Sequence, residues 1–334
     1  MSPRKPAKSN IEEFVAPGVL EHGLVAPGLT ENELLTGVAS EASFDPSDKI
    51  ESGFRQGARV FAQNKLAMIS VFVLGFLVIA CFFGQYVWHT NQTSLLAQIG
   101  VPQNAAPSLS HPLGTDINGF DELGRILYGG KYSLTLGFLA GLITILIGTV
   151  YGMISGYFGG IVDSIMMRIL DAALSIPSLF LIIALVAIFG KSTPFLIIVI
   201  GTTSWFLTAR LIRSDALVIK NLEYSQASIS MGATKLHVIR RHVFVNSMGN
   251  IVTVGTFSVA DSIQLLSALG FLGLGIQLPA TDWGTMLNEG TQELFNGYWW
   301  EVFPVAILFI IVIVCINFIG DALRDISEVR LRER

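Results

Sequence analysis

The stretch that decides the fold is Asn221-Leu-Glu-Tyr-Ser-Gln-Ala-Ser-Ile-Ser-Met-Gly-Ala-Thr-Lys-Leu-His-Val-Ile-Arg-Arg-His-Val243. It is polar and basic, yet long apolar segments flank it. Asn221 is placed to cap a first short helix, which would end at Gly232 in a left-handed residue. Thr234 could cap a second helix with one apolar face, formed by Leu236, Ile239 and Val243. The pattern favours a short helix presented to a partner's groove, with an ordinary basic loop as the alternative.

The composition indicates a polytopic membrane protein. Apolar residues make up 51% of the 334 residues and charged residues only 14%, against about 25% charged in ordinary soluble domains. Residues 1–51 hold nine acidic and four basic side chains, whereas the rest of the chain holds 16 acidic and 17 basic ones. The acidity therefore belongs to the first 51 residues, and their composition predicts a disordered acidic cytoplasmic tail without a signal peptide.

Apolar runs of sufficient length predict an all-α fold with six transmembrane helices. An interfacial helix is expected at 52–65, because aromatic and basic residues alternate there. The predicted six-helix domain is 66–330, with an outer loop at 89–131 and a basic cytoplasmic loop at 214–246. The spans are expected at about 66–88, 132–158, 161–190, 195–211, 251–278 and 302–320.

Basic residues set the predicted orientation. With the N-terminus inside, the inner segments receive most of the lysines and arginines, and the outer segments receive only Arg125, Lys131 and Lys191. This asymmetry predicts that both termini and the basic stretch 221–243 lie in the cytoplasm.

Five further stretches lie in the order typical of a known family. They are His111-Pro-Leu-Gly-Thr-Asp116, Tyr128-Gly-Gly-Lys-Tyr-Ser-Leu134, Leu269-Gly-Phe-Leu-Gly-Leu-Gly275, Asp282-Trp-Gly284 with Met286-Leu287, and Asn317-Phe-Ile-Gly-Asp-Ala-Leu-Arg-Asp325. Together they resemble the permeases of binding-protein-dependent ABC importers, in particular the C-type subunit of the dipeptide/oligopeptide or nickel importers. The resemblance covers about residues 52–330.

The stretch 221–243 resembles that family's Glu-Ala-Ala loop, which forms the coupling helix. The equivalents here are Gln226, Ala227 and Ser228, followed by Gly232 at the family's spacing. Two of the three motif letters differ, and the family's later Leu-Pro pair is Phe244-Val245. The resemblance implies a set of ATPase-coupling residues: Glu223, Tyr224, Gln226, Ala227, Ser228, Met231, Gly232 and Ala233.

The resemblance also implies a type I ABC-importer permease fold and a subunit that is not itself an enzyme. Such a subunit forms half of a translocation pathway in the bacterial plasma (inner) membrane and works by alternating access. The implied partners are a B-type permease in a pseudo-symmetric heterodimer, two ATP-binding subunits, an extracellular substrate-binding protein, a peptide substrate and membrane lipid, with no nucleic acid. ATP and Mg would be bound by the partner subunits, and this chain would bind no cofactor and no metal.

Asp171 and Asp261 are the candidate pore or gating residues, because ionisable groups in spans usually face protein or water. A structural role is an open alternative for each. Arg168 and Asp171 lie three residues apart and could pair on one helix face. The family's acidic residue in the fifth span is Leu266 here. Pro177 is expected to kink the third span.

Other functional classes have less support. Gly190-Lys191-Ser192 is not a phosphate-binding loop, because that loop needs a glycine at 185, where Leu185 stands. An ion-gradient-driven secondary transporter would usually show an inverted repeat, and none is evident. A membrane enzyme needs a nucleophile and base or a metal set, which the scattered histidines and the two cysteines do not supply. Cargo other than peptides, such as nickel chelates, remains an alternative.

Overall fold

The computed structural model describes residues 53–332, and side chains within 57–327, so the predicted tail at 1–51 lies outside the described residues. The described chain is helical, and β-pairing within it is limited to one isolated bridge between Thr115 and Asp121. The helices are α1 Gly53–Gln63, α2 Lys65–Phe83, α3 Glu122–Phe158, α4 Gly160–Leu174, α5 Ser178–Phe189, α6 Thr193–Thr203, α7 Phe206–Ile219, α8 Glu223–Ser230, α9 Lys235–Val238, α10 Phe244–Phe271, α11 Trp283–Leu294 and α12 Phe303–Arg332.

Four continuous helical stretches are long and apolar enough to cross a bilayer: Lys65–Tyr86, Glu122–Phe158, Lys235–Phe271 and Trp299–Ser327. Two further candidates are bent pairs, with 76° between α4 and α5 and 42° between α6 and α7. Counting each bent pair as one crossing gives six, the predicted number. The sharp bend between α4 and α5 falls at 175–177, so the kink predicted at Pro177 is confirmed.

Several helices differ in extent from the predicted spans. Helix α3 begins at Glu122 rather than near 132, because the Asp121 carboxylate caps it by accepting a hydrogen bond from the Gly124 N–H at 2.8 Å. Helix α10 ends at Phe271 rather than near 278. The loop that follows it contains a further helix, α11, which is too polar to be a span.

The loop at 89–121 is tied to the start of α3 by buried polar contacts. Asp121 accepts a hydrogen bond from Trp88 Nε1 at 2.7 Å and lies 3.0 Å from His111 Nδ1. Arg125, only 1% exposed, donates to the Pro279 carbonyl at 2.8 Å. Its Nε lies 3.6 Å from a carboxylate oxygen of Asp116. Burial is the main cause that raises the pKa of the Asp116 carboxyl, although Arg125 acts in the opposite direction.

Helix α3 is the centre of the packing, and its glycines face two other helices. A Cβ at Gly152 would lie 2.5 Å from the Ala209 carbonyl of α7, and one at Gly156 would lie 2.5 Å from the Arg213 carbonyl. A Cβ at Gly141 would lie 2.8 Å from Val259 of α10. The glycine-rich face predicted for close helix packing is therefore in contact with backbone on both sides.

Ion pairs join α4 to α7 across the two bent spans. Arg213 donates two hydrogen bonds to Asp163, and Arg210 donates one to Asp171. The predicted pairing of Asp171 with Arg168 on one helix face is wrong in the structure, because Asp171 instead contacts the neighbouring helix. A sequence spacing of three identifies partners on the same helix but carries no information about other helices.

The first and last described helices meet at one end of the bundle. Phe61 of α1 and Leu323 of α12 line the same cavity, together with Asp215 of α7 and Met248 of α10. An even number of crossings likewise places the first and last helices at the same side of the bilayer. The segment 220–243, which connects α7 to α10, therefore lies at the same end as both.

We expect Gly152→Ala to destabilise the protein by about 1–3 kcal/mol, because the added methyl group meets the Ala209 carbonyl and the Arg213 N–H, which are backbone groups. Thermal unfolding of the purified protein measures the effect. Gly75→Ala is the matched control, since nothing lies within 4 Å of a Cβ there and alanine favours a helix. Equal melting temperatures for the two variants would contradict a tight α3–α7 contact.

Candidate coupling site

Helix α8 begins without a side-chain cap. Leu222 is the N-cap residue in an extended conformation, and no side-chain hydrogen bond caps the helix. The prediction that Asn221 is the cap is wrong, because Asn221 Nδ2 donates to the Leu217 carbonyl at the end of α7. The Asn221 side chain therefore binds an unpaired carbonyl at the end of α7, and it does not accept a hydrogen bond from a backbone N–H at the start of α8. Gln226, a predicted coupling residue, donates to the Lys220 carbonyl at 2.8 Å and closes this turn.

The exit from α8 is a Schellman motif. Gly232 has φ +90°, and its N–H donates to the Ile229 carbonyl at 2.9 Å. The N–H of Ala233 donates to the Ser228 carbonyl at 3.1 Å. This pair of bonds defines the motif, which favours glycine at the left-handed position. The helix end predicted at Gly232 is therefore confirmed.

Thr234 then caps α9 as predicted, with its hydroxyl accepting a hydrogen bond from the His237 N–H at 3.3 Å. The predicted apolar face of the second helix is only partly correct. Leu236 is 62% exposed, whereas Val238 and Val243 are fully buried. A π-helical turn at Ile239–Val243 changes the register between the two valines, which a uniform 3.6-residue period does not anticipate.

Helix α8 has one buried and one exposed face. Ser225 is fully buried and Ser228 is 7% exposed, so both face the body of this chain. Ser228, a predicted coupling residue, therefore packs against this chain in the structure. Tyr224, Ala227 and Met231 are exposed at a spacing of three and four, with Met231 83% exposed. An apolar ridge on an otherwise polar segment is typical of a protein contact.

The other predicted coupling residues frame this ridge. Glu223 is exposed in the first turn of α8, where a carboxylate interacts favourably with the helix dipole. Gly232 is open, with nothing within 4 Å of a Cβ, and Ala233 is half-buried. We define the coupling ridge as Tyr224, Ala227 and Met231.

The segment is anchored to the membrane helices below it. Lys220 Nζ donates to the carbonyls of Gly156 and Tyr157 at 3.0 and 3.4 Å, and so binds the C-terminal end of α3. A cation is favourable there because the last carbonyls of a helix are unpaired. On the other side, Val243 belongs to an apolar cluster with Ile212 and Ala216 of α7. The two ends of the segment are therefore attached to α3 and to α7.

The two pore candidates lie in different settings. Asp171 is 58% exposed and pairs with Arg210, which is 49% exposed, so its visible contact holds α4 against α7. Asp261 is exposed in the middle of α10, and no hydrogen bond or ion pair to it occurs among residues 57–327. Gln264, three residues later, is exposed on the same face. Sequence reasoning missed Gln264, although a polar residue at this spacing in an apolar run was a usable signal.

Within the described part of the chain, no group of three or more His, Cys, Asp or Glu side chains could hold a metal ion. The two cysteines, Cys81 and Cys315, are buried and unpaired.

Comparison with protein families gives two matches. Residues 148–333 match the family described as "Binding-protein-dependent transport system inner membrane component". Residues 52–107 match the "N-terminal TM domain of oligopeptide transport permease C". The two matches together span most of the described chain.

Individual relatives are similar over most of their length. The dipeptide transport system permease protein DppC of Bacillus subtilis is 38% identical over 274 residues, 82% of this chain and 85% of the relative. The oligopeptide transport system permease protein OppC of Haemophilus influenzae is 35% identical, over 81% of this chain and 87% of the relative. A solved structure of the MetNI methionine ABC transporter, in inward-facing conformations, aligns with a TM-score of 0.49 at 21% identity, covering 60% of this chain and 96% of that one.

We expect Gly232→Ala to loosen the segment after α8, because alanine at φ +90° costs about 1–2 kcal/mol. Amide hydrogen exchange at 233–243 should accelerate about fivefold or more. Gly190→Ala is the matched control, with φ +91° and nothing within 4 Å of a Cβ, but it follows α5, outside the segment. Faster exchange at 233–243 in both variants would contradict a local role for Gly232.

Proposed function

This chain belongs to the family of binding-protein-dependent transport system inner membrane components, and we propose that it is the C-type permease subunit of an ATP-driven peptide importer. It forms half of a translocation pathway and carries no catalytic site of its own. ATP and Mg would be bound by two partner ATP-binding subunits. A related B-type permease would complete the pathway, and an extracellular binding protein would deliver the cargo.

The relatives support peptides as the cargo. Their names describe permeases for dipeptides and oligopeptides, and one describes a glutathione permease, glutathione being a tripeptide. The match to the N-terminal domain of oligopeptide permease C points the same way. Short peptides are therefore the first substrates to test.

The observation that carries the coupling proposal is the coupling ridge. Tyr224 and Met231 are 41% and 83% exposed, although they lie in a segment held in place by two helix caps and by Lys220. A short apolar ridge that is held in place and exposed to solvent fits a groove on another protein. Because α8 lies between α7 and α10, an ATPase that moves the ridge would move both helices.

We expect Ala227→Trp to abolish peptide-stimulated ATP hydrolysis, because the large ring would hold the ridge away from the partner's groove. The measurement is ATP hydrolysis by the assembled transporter in lipid, with and without peptide-loaded binding protein. Ala227→Ser is the matched control, since it keeps a small side chain at the same exposed position, and it should retain more than half of the stimulation. Normal stimulation in an assembled Ala227→Trp complex would refute the contact.

The polar face of α10 is the proposed contribution to the pathway. Asp261 and Gln264 lie on one exposed face of a helix that is long and apolar enough to cross a bilayer. A charged side chain facing lipid at this depth is costly, so such residues usually face water or protein. Pairing with a second permease along this face would enclose it in a water-filled pathway.

We expect a cysteine at Gln264 to react with a membrane-impermeant thiol reagent in the assembled transporter, at a rate that changes between ATP-bound and nucleotide-free states. The native Cys81 and Cys315 are buried, so background labelling should be low. Ile263→Cys, 1% exposed on the adjacent face, and Phe76→Cys, 64% exposed on the apolar α2, are the controls for core and lipid. Labelling of Phe76→Cys but not of Gln264→Cys would overturn the proposed pathway.

A further inference from the structure

A cavity of about 800 Å³ lies at the end of the bundle where α1 and α12 meet α7 and α10. Helices α7 and α10 are the two that flank the segment 220–243. Cavities of roughly 300–1,000 Å³ with few polar groups are typical of small-molecule sites. Its walls come from helix α1, the start of α2, the end of α7, the start of α10 and the C-terminal part of α12. The apolar side chains among them include Phe61, Met68, Val218, Val245, Met248 and Val252.

One carboxylate lies in this apolar wall. Asp215 is half-buried, and its Oδ2 accepts a hydrogen bond from Asn250 Nδ2 at 2.8 Å. No ion pair to Asp215 occurs among residues 57–327. The neighbouring cations of α7 and its end have other partners: Arg213 binds Asp163, and Lys220 binds carbonyls of α3. A carboxylate removed from water with a single neutral donor is poorly compensated, so a cationic ligand group would stabilise it.

The cavity lies at the level expected for lipid headgroups. Asp215 is one helical turn before the end of α7 at Ile219, and the polar segment 220–243 follows directly. Helix α1, which lines the opposite wall, is too short to span a bilayer and has the interfacial character expected from its sequence. The apolar part of the cavity therefore lies beside acyl chains and its carboxylate beside the headgroups of the inner leaflet.

We propose that this cavity binds an inner-leaflet phospholipid with a primary ammonium headgroup, of the phosphatidylethanolamine type. An acyl chain occupies the apolar wall, and the ammonium group donates hydrogen bonds to the Asp215 carboxylate. This binding site stands whichever cargo the transporter carries, because it depends on the membrane location and on the helices that line the cavity, not on the cargo pathway.

The lining selects among headgroups. A primary ammonium offers three N–H donors, whereas a quaternary choline offers none and is usually held by a cage of aromatic rings. Phe61 is the one aromatic residue in the cavity lining. An anionic phosphatidylglycerol headgroup would be repelled by Asp215, and it would also leave that carboxylate unpaired. Charge and donor number therefore both favour the ethanolamine headgroup.

Native mass spectrometry of the assembled transporter tests the site. The complex is released from micelles that contain phosphatidylethanolamine, phosphatidylcholine or phosphatidylglycerol with identical acyl chains, and the bound lipid is counted. We expect the wild-type complex to retain the ethanolamine lipid about tenfold more than the other two, as one charge-assisted hydrogen bond allows. Asp215→Asn should abolish this preference while leaving the complex intact in the same spectrum.

Two further variants separate the site from general lipid adhesion. Asp325→Asn makes the same chemical change at an exposed position of α12 outside the cavity lining, and it should keep the preference. Ala62→Trp fills the cavity from α1 and should reduce retention of the ethanolamine lipid to the level of the other two. Equal retention of the three lipids by wild type, or an unchanged preference in Asp215→Asn, overturns the proposal. Absence of bound lipid in wild type would also overturn it, because it would mean that a partner chain closes the cavity.

Discussion

The backbone contact between α3 and its two neighbours is the constraint on which the rest of the structure depends. In a bilayer, apolar side chains gain little by leaving lipid for one another, so helices associate where small residues allow their backbones to approach. Gly148, Gly152 and Gly156 provide that approach to α7, and Gly137 and Gly141 provide it to α10. Helices α7 and α10, which flank the segment 220–243, thus both pack against the glycine face of α3.

This packing anchors both ends of the proposed coupling segment, residues 220–243. Gly156 contacts the Arg213 carbonyl and also offers its own carbonyl to Lys220. One turn of α3 therefore contacts both the last two turns of α7 and Lys220, the residue that follows α7. Val243 returns the chain to the same cluster of α7 side chains. The segment 220–243 therefore begins and ends beside α3 and α7. In the proposed mechanism, a force on this segment would move these helices.

Local sequence signals predicted the local structure well, and they failed where tertiary contacts decide. Gly232 and Thr234 were identified because a left-handed residue and a helix cap depend on neighbours within a few positions. Leu236 was placed on the wrong face, because the π-turn at Ile239–Val243 and the packing around it set which side is buried. The partner of Asp171 was wrong for the same reason, since Arg210 lies 39 positions away. The start of α3 could have been read from Asp121, which is a preferred cap residue next to a run of helix-forming residues.

The course of α10 connects the proposed coupling segment to the proposed pathway face. Helical structure is continuous from Lys235 to Phe271, with part of the segment 220–243 at its first end and Asp261 in its second half. The π-turn at Ile239–Val243 is the interruption within that length, and such turns loosen the regular hydrogen-bond ladder where they occur. Movement of α8 can therefore change the angle at which α10 enters the membrane without unwinding it. Because Asp261 and Gln264 are on an exposed face of the same helix, a small change of angle at the turn becomes a displacement of the polar face, which is what alternating access requires of a permease.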